Sequence, residues 1–248
     1  MIKNFLAGVG YVLQGLSLIS KKGIRPFVVI PLLINMIVFS FAIWIAKAQF
    51  DTLMNKLLGW LPSWLSWVEW LLYPLFVLLI LIAVYYVFTI VANLIAAPFN
   101  SLLAEKVEMY LKGLPLPEFQ GYKAMMKVVG KTLVSEFRKI LYMLKWLLVL
   151  VIISIIPVVN IIAPFAWALY GGWMLALQYT DFPMGNHELF LDDELKRLRR
   201  HRASSLGFGG AILLMTTIPV LNFFAMPAGV AGGTAFWVNK LSKQTKRL

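Results

Sequence analysis

Long uncharged apolar runs alternate along the chain with short polar segments that carry most of the charge. Two of these runs, 27–46 and 71–99, contain no Asp, Glu, Lys, Arg or His. At about 1.5 Å per helical residue, each can cross a hydrocarbon core of roughly 30 Å. We therefore predict two long transmembrane helices, 26–46 and 71–104, the second of which continues past the membrane.

The first twenty residues have a weaker pattern. Apolar residues recur there near helical spacing, with polar residues between them, and the main ones are Phe5, Val9, Val12, Leu13 and Leu16. Such a pattern is typical of a helix that lies along the membrane–water interface. The sequence therefore predicts an N-terminal interfacial helix at 1–20.

Two similar octets mark the second half of the chain. IPVVNIIA at 156–163 and IPVLNFFA at 218–225 match at five positions, and each lies inside an uncharged block, 146–180 or 203–239. The helical arm before each proline covers only roughly 16–20 Å. Because basic residues flank both blocks, we predict two hemi-penetrating (re-entrant) helical hairpins. The alternative is that each block crosses the bilayer twice.

The remaining segments connect these elements within one membrane domain, 1–248. Segment 47–70 has balanced charge, whereas all but two of the 23 basic residues lie outside it. By the positive-inside rule it is a non-cytoplasmic loop and both termini are cytoplasmic. Its tryptophans, at Trp60, Trp64, Trp67 and Trp70, predict an aromatic belt. We expect Pro98 to interrupt the second long helix, and 105–145 to form a cytoplasmic helical hairpin.

Composition settles the broad class. Of the 248 residues 60% are hydrophobic and 14% are charged, which is typical of an all-α integral membrane protein. The net charge is +12, and the basic residues that produce it lie between the apolar runs. This distribution favours anionic lipids over nucleic acid as partners. The chain has no cysteine, and its two histidines have no neighbouring ligand cluster. We expect no metal, no cofactor, no catalytic residues and no enzyme activity.

A cationic turn precedes the first transmembrane helix. Gly23 can end the preceding helix, and Pro26 suits the first position of a new one. The amides of Phe27 and Val28 then point back toward Arg25 without intrahelical partners, beside the positive end of the helix dipole. These features predict an anion site. The alternative is a cationic anchor at the membrane surface.

Other polar residues lie within or beside the apolar runs. Five asparagines are candidates for a pathway or for hairpin tips: Asn35, Asn93, Asn100, Asn160 and Asn222. They can form hydrogen bonds between helices or line a path for a partly dehydrated ion. For Glu105 and Glu108 we expect a plain solvated helix face rather than a salt-bridged vestibule. Glycines in the second half permit close helix contacts, and together with the hairpin tips they favour a homo-oligomer.

Four segments closely resemble the bacterial CysZ sulfate permeases: GIRPFVVIPLLIN at 23–35, NLIAAPFNSLLAE at 93–105, MLALQYTDFPMGNH at 174–187 and IPVLNFFAMPAGVAGGTAFWV at 218–238. The resemblance covers nearly the whole chain. It implies an oligomeric, multi-pass protein of the bacterial inner membrane, with two long transmembrane helices and hemi-penetrating hairpins. The implied function is sulfate uptake for assimilation toward cysteine.

The resemblance also implies a sulfate site. In the family it lies at a Gly-Leu-Arg type motif before the first long helix, which corresponds here to Gly23, Ile24 and Arg25. Some members have Gly-x-Arg-Arg, whereas this chain has Pro26 at the fourth position. A channel-like sulfate permease is thus the leading hypothesis. The rival is a membrane-shaping or scaffold protein with leaflet-inserted hairpins and no ion flux.

Overall fold

The computed structural model describes residues 1–60, 62, 68–113 and 122–243. These residues form no strand and contain the following helices: α1 (Ile2–Ile19), α2 (Pro26–Leu58), α3 (Glu69–Lys112), α4 (Tyr122–Ile155), α5 (Ala163–Gly185), α6 (Leu191–Arg200), α7 (Arg202–Thr217) and α8 (Pro219–Phe236). A 3₁₀ turn, Val159–Ile162, precedes α5, and a π-helical turn, Trp237–Leu241, follows α8. The predicted all-α class is confirmed.

Four helical segments within the described residues are long and apolar enough to cross a membrane: Ile2–Ile19, Pro26–Leu58, Val159–Gly185 and Pro219–Leu241. A shorter apolar segment, Trp70–Tyr86, lies in α3. The protein is therefore an all-α membrane protein. The interfacial position of α1 and the re-entry of the hairpins stay predictions, because length and composition are also compatible with crossing.

One compact unit, Phe27–Phe99, consists of most of α2 and the first part of α3. The two helices pack antiparallel through aromatic side chains, since Phe39 meets Phe88 and Phe50 meets Phe76, with ring centroids 4.8 and 5.6 Å apart. Helix α2 continues to Leu58, so the first half of the segment predicted as a connection is helical. Pro31 lies within α2 without ending it.

Helix α3 is longer than predicted. It runs without a break from Glu69 to Lys112, so the prediction that Pro98 interrupts it is wrong. A helix in an apolar setting tolerates proline where neighbouring groups satisfy the freed carbonyl. Two residues of the predicted aromatic belt, Trp64 and Trp67, and the turn at 114–121 lie outside the described residues.

The second unit consists of Met1–Pro26 and Asn100–Leu248. Its core lies where α1, α5, α7 and α8 pack together. Phe208 of α7 and Phe236 of α8 are fully buried there, with ring centroids 5.9 Å apart, and Tyr11 of α1 stacks on Phe236 at 4.9 Å. The mixed apolar and polar helix α1 thus covers the paired arms of the second hairpin.

Glycines set the distance between these helices. A Cβ on Gly209 of α7 would overlap the carbonyl oxygen of Gly172 on α5. A Cβ on Gly8 or Gly207 would likewise overlap backbone where α1 crosses α7, and the same holds for Gly15 where α1 crosses α8. The predicted role of glycine in close helix contacts is confirmed, and these contacts form within one chain.

Both predicted hairpin breaks occur at the repeated octets, but their backbones differ. At the first, Val158 has φ 69° and ψ −46°, and Val159 N–H donates to the Pro157 carbonyl at 2.8 Å. This is a strained γ-turn, rare for a β-branched residue. At the second, Ile218 is simply extended, with φ −103° and ψ 114°, and α8 begins at once. Similar octets therefore end their first arms in different ways.

Candidate functional site

The turn between α1 and α2 has the backbone that its sequence predicts. Gly23 adopts φ +89°, a conformation that favours glycine. The N–H groups of Ile24 and Arg25 both donate to the Lys21 carbonyl at 3.1 Å, and Lys21 N–H donates to the Leu18 carbonyl at 3.0 Å. Helix α2 then begins at Pro26. The predicted helix start is confirmed.

The side chains of this turn are of two kinds, one buried apolar anchor and three exposed cations. Ile24 is only 2% exposed and fixes the turn to the protein. Lys21, Lys22 and Arg25 are exposed, and the Arg25 guanidinium makes no ion pair with any residue in the described part of the chain. Three cations thus lie beside the positive end of α2. Since the amides of Ile24 and Arg25 bond within the turn, the Arg25 side chain is the main donor left for an anion.

The remaining predicted residues are scattered along the chain. Phe27 and Val28 lie in the first turn of α2, and Asn35 follows two turns later with a buried Oδ1 that has no partner among the described residues. The Asn93 side chain lies outside the described residues. Asn160 and Asn222 are exposed at the two hairpin breaks, and their role as tip residues stays a prediction.

Asn100 belongs to a polar cluster that the sequence did not reveal. It is buried, and its Nδ2 lies 3.6 Å from the Met226 sulfur on α8. Next to it, Ser101 Oγ donates to Asn186 Oδ1 at 2.5 Å, and Asn186 Nδ2 donates to the Ser101 carbonyl at 3.0 Å. The last part of α3 is therefore bonded to the C-terminal end of α5.

Two turns further along α3, Glu108 lies at the centre of this cluster. Its carboxylate pairs with Lys112 on the same helix, and both of its oxygens lie 2.9 Å from His187 Nε2. The Glu108 side chain is 10% exposed, whereas Lys112 and His187 are 33% and 42% exposed. The expectation of a solvated face at Glu108 is therefore wrong, because the contact with His187 depends on the packing of α5 near α3.

A tight turn after α5 places His187. Asn186 caps the helix by donating to the Phe182 carbonyl, and His187 N–H donates to the Met184 carbonyl at 2.9 Å. Glu188 then takes φ 55°, which turns the chain sharply toward α6. The local sequence thus fixes the imidazole at the end of α5, on the side that faces Glu108.

Trp237 closes the cluster from the C-terminal end of the chain. Its ring lies 5.2 Å from the His187 ring and 5.3 Å from the Arg197 guanidinium on α6. Arg197 also donates to the Leu241 carbonyl at 2.6 Å. The indole Nε1 of Trp237 is buried and has no hydrogen-bond partner among the described residues. Trp237 lies in the π-helical turn, a backbone form that often marks functional sites.

The surroundings of Glu108 hold it in the charged form. Burial raises its pKa, but the hydrogen bonds and charges of His187 and Lys112 outweigh burial, so the pKa lies below its ordinary value. Glu108 belongs to the end of α3 that is predicted to extend out of the membrane. A buried carboxylate with two basic partners is thus the main ionic feature of this surface.

The polar cluster around Glu108, which we call the Glu108 cluster, joins three of the segments that carry the sequence resemblance. Asn100 and Ser101 come from 93–105, Asn186 and His187 from 174–187, and Met226 and Trp237 from 218–238. The signal available in the sequence was the presence of polar residues at the ends of three such segments. Their meeting point required the packing of α3, α5 and α8.

Comparisons with known proteins agree with these observations. Residues 11–227 match the family model described as sulfate transporter CysZ/etoposide-induced protein 2.4. The chain is 44% identical to the sulfate transporter CysZ of Pseudomonas fluorescens (strain Pf0-1), over 95% of this chain and 94% of that protein. It is 41% identical to the sulfate transporter CysZ of Vibrio cholerae, over 96% and 95% of the two chains.

A third relative, the sulfate transporter CysZ of Pseudomonas syringae pv. tomato, is 45% identical over 95% of this chain and 93% of its own length. These matches extend over nearly the full length of both chains. The family model alone covers far more than half of the sequence. The chain therefore belongs to the family of sulfate transporter CysZ and etoposide-induced protein 2.4.

Proposed function

We propose that this chain is a channel-like sulfate permease of the bacterial inner membrane, which passes sulfate into the cytoplasm for assimilation toward cysteine. The observation that carries the proposal is the exposed Arg25 guanidinium beside the start of α2, in a chain whose full-length relatives are named sulfate transporters. Transport, and not catalysis, is the activity that this site supports.

The proposed mechanism begins with the dianion at a mouth of the pathway. Arg25 supplies a strong charge-assisted donor, and the first turn of α2, with Phe27 and Val28, adds the positive end of a helix dipole. Gly23 and the buried Ile24 hold Arg25 in place. Lys21 and Lys22 raise the local concentration of the anion by long-range attraction.

Neutral polar groups then replace part of the ion's hydration along the pathway. The uncharged runs contain no ionisable residue for coupling to protons, so the sulfate gradient maintained by assimilation drives the flux. Asn35 supports this step, because its buried Oδ1 marks a polar position inside an apolar helix. Asn93, Asn100, Asn160 and Asn222 are the other proposed lining or tip residues.

Replacing Arg25 tests the proposal directly. We expect Arg25→Ala to weaken sulfate binding by roughly ten- to a hundredfold, because a hydrogen bond to a charged group contributes about 1.5–3 kcal/mol. Uptake of radiolabelled sulfate into proteoliposomes, without an imposed proton gradient, measures the corresponding loss of flux. Arg199→Ala, which removes an exposed arginine on α6, is the matched control and should retain flux. Unchanged binding and flux in Arg25→Ala would remove Arg25 from the mechanism.

The hairpin tips favour a second candidate, a membrane-shaping protein. Val158 and Phe223 are 79% and 71% exposed at the two breaks, so apolar tips are available to insert into one leaflet. The same proteoliposomes separate the two functions. Curvature change on anionic vesicles without any flux of sulfate, sulfite or chloride would support the scaffold and exclude the permease.

Two kinds of partner belong to the proposal. Anionic lipids fit the exposed basic side chains of α6, which are Lys196, Arg199 and Arg200. A homo-oligomer fits the exposed tips, since backbone at a hairpin tip has to be covered by protein or line water. The whole chain, 1–248, then works as one membrane domain in each subunit.

Crosslinking between subunits tests the oligomer. The chain has no cysteine, so a single Phe223→Cys variant places one thiol at the tip of the second hairpin. We expect a short bifunctional maleimide to produce covalent oligomers of this variant in native membranes. Arg199→Cys, at an exposed position of α6, serves as the control for random collision. Monomers alone at Phe223→Cys would contradict contact between subunits at this tip.

A further inference from the structure

The Glu108 cluster has no part in the capture step at Arg25, yet the two basic residues in it, Lys112 and His187, are of the kind that bind anions. Lys112 and His187 converge on one carboxylate, and His187 Nε2 lies at the same distance, 2.9 Å, from both of its oxygens. An edge of a sulfate ion presents two oxygens in a similar arrangement. The basic groups are therefore placed to hold a bidentate oxyanion, and Glu108 holds that position in this structure.

Exposure distinguishes the partners in this cluster. The Glu108 side chain is 10% exposed, whereas Lys112 and His187 are 33% and 42% exposed. An ion from solution can therefore approach the two basic groups from their outer side while Glu108 contacts them from the inner side.

A second observation also points to an absent acceptor. Trp237 is 4% exposed, its ring packs 5.2 Å from the His187 ring, and its Nε1–H has no acceptor among the described residues. Buried indole N–H groups normally have a hydrogen-bond partner. One buried donor on the ring that packs against His187 is thus left without an acceptor among the described residues.

We propose that Lys112 and His187 form a second binding site for a divalent oxyanion such as sulfate, and that Glu108 occupies this site as a tethered counter-anion until the ion displaces it. The Asn186–Ser101 hydrogen bonds keep α5 and α3 in register while the carboxylate leaves. The site rests on the proposed function, as a stage on the path of sulfate. Displacement by competition leaves Lys112 paired with an anion both before and after the ion binds.

The test measures binding of radiolabelled sulfate to the purified full-length chain in detergent. An Arg25→Ala parent weakens the proposed capture site, and Glu108→Gln is added to that parent. We expect the added substitution to raise sulfate affinity by on the order of tenfold, because a competing negative charge is removed from the site. Lys112→Gln, added to the double variant, should abolish the gain.

Glu105→Gln in the Arg25→Ala parent is the matched control, since it removes a carboxylate from the same helix and should leave affinity unchanged. A purely structural ion pair at Glu108 would give no gain in affinity in the folded variant, and that result would overturn the proposal. The proposal also fails if chloride displaces labelled sulfate as well as unlabelled sulfate does. Each variant is compared with its own parent. The outcome therefore tests the Glu108 cluster independently of whether Arg25 binds sulfate.

Glu108→Asp provides a second variant if Glu108→Gln does not fold, as judged by size-exclusion chromatography. The shorter side chain keeps its charge but withdraws from His187 and Lys112. We expect sulfate affinity to rise by roughly threefold in the Arg25→Ala parent, because the tethered carboxylate competes less well. Unchanged or weaker binding by this folded variant would overturn the proposal.

Discussion

At the scale of single residues, the charged groups at Arg25 and Glu108 differ in physical character. Arg25 is an exposed cation with no counter-charge in the described part of the chain, so it is available to an anion from solution. Glu108 is a buried carboxylate that forms an ion pair with Lys112 and contacts His187 Nε2. The free energy of each charged group therefore depends on its contacts more than on its residue type.

The Glu108 pairing predicts a specific dependence of stability on pH. Its folded-state pKa lies below the ordinary value of 4.5, so the pair stabilises the fold fully above that value. This stabilisation is lost as the pH falls from the ordinary value through the lower, folded-state pKa. We expect the melting temperature of the wild type to exceed that of Glu108→Gln at pH 7, and the difference to narrow below about pH 4.5. Thermal unfolding from pH 7 to pH 3 measures it, and a difference that does not change with pH would contradict this pairing.

At the scale of helices, backbone contact at glycine decides how the second unit is packed. Helix α1 meets α7 through Gly8 and Gly207, and α7 meets α5 through Gly209 and Gly172. In a membrane the hydrophobic effect does not drive helices together, so close van der Waals contact has a larger share of the stabilisation. A single added methyl group at such a crossing has to move a backbone.

Neighbouring glycines on α7 provide a matched test of this packing. A Cβ on Gly209 would overlap the Gly172 carbonyl, whereas a Cβ on Gly210 meets nothing within 4 Å. We expect Gly209→Ala to reduce the free energy of unfolding by about 1–3 kcal/mol, because overpacking forces the helices apart. Gly210→Ala should be neutral or slightly stabilising, since alanine favours the helix. Thermal unfolding in detergent checks both variants, and equal melting temperatures would contradict the helix crossing.

At the scale of the whole molecule, the distribution of charge predicts the orientation in the membrane. Segment 47–70 contains two of the 23 basic residues, whereas the segment from 196 to 202, KRLRRHR, contains five of them. The positive-inside rule therefore places Lys56 outside the cytoplasm and Arg199 inside it. Both side chains are exposed, so each can carry a chemical label.

Single-cysteine labelling tests this orientation. Because the native chain has no cysteine, Lys56→Cys and Arg199→Cys each carry one thiol. We expect a membrane-impermeant maleimide to label Lys56→Cys in spheroplasts with an intact inner membrane. Arg199→Cys should react only after that membrane is permeabilised. The reverse pattern would place both termini outside the cytoplasm and contradict the proposed topology.

The sequence by itself determined the features that depend on local chemistry. Hydrophobicity predicted an all-α membrane protein, the octets predicted the two hairpin breaks, and Gly23 with Pro26 predicted the turn that presents Arg25. Each of these depends on residues that are close in sequence, because backbone freedom, proline geometry and burial of apolar surface act over a few residues. Helix ends were less predictable, since α2 and α3 extend beyond the apolar runs that signal them.

The Glu108 cluster could be found only from the tertiary structure. Glu108 and His187 are 79 residues apart, and Asn100 and Met226 are 126 residues apart. The sequence therefore indicated a solvated helix face at Glu108, whereas helix packing buries the carboxylate and pairs it. The structure also decided that glycines such as Gly209 and Gly172 meet within one chain. Contacts of this kind depend on which helix faces meet, and local pattern cannot specify that, because many pairings would bury a similar apolar area.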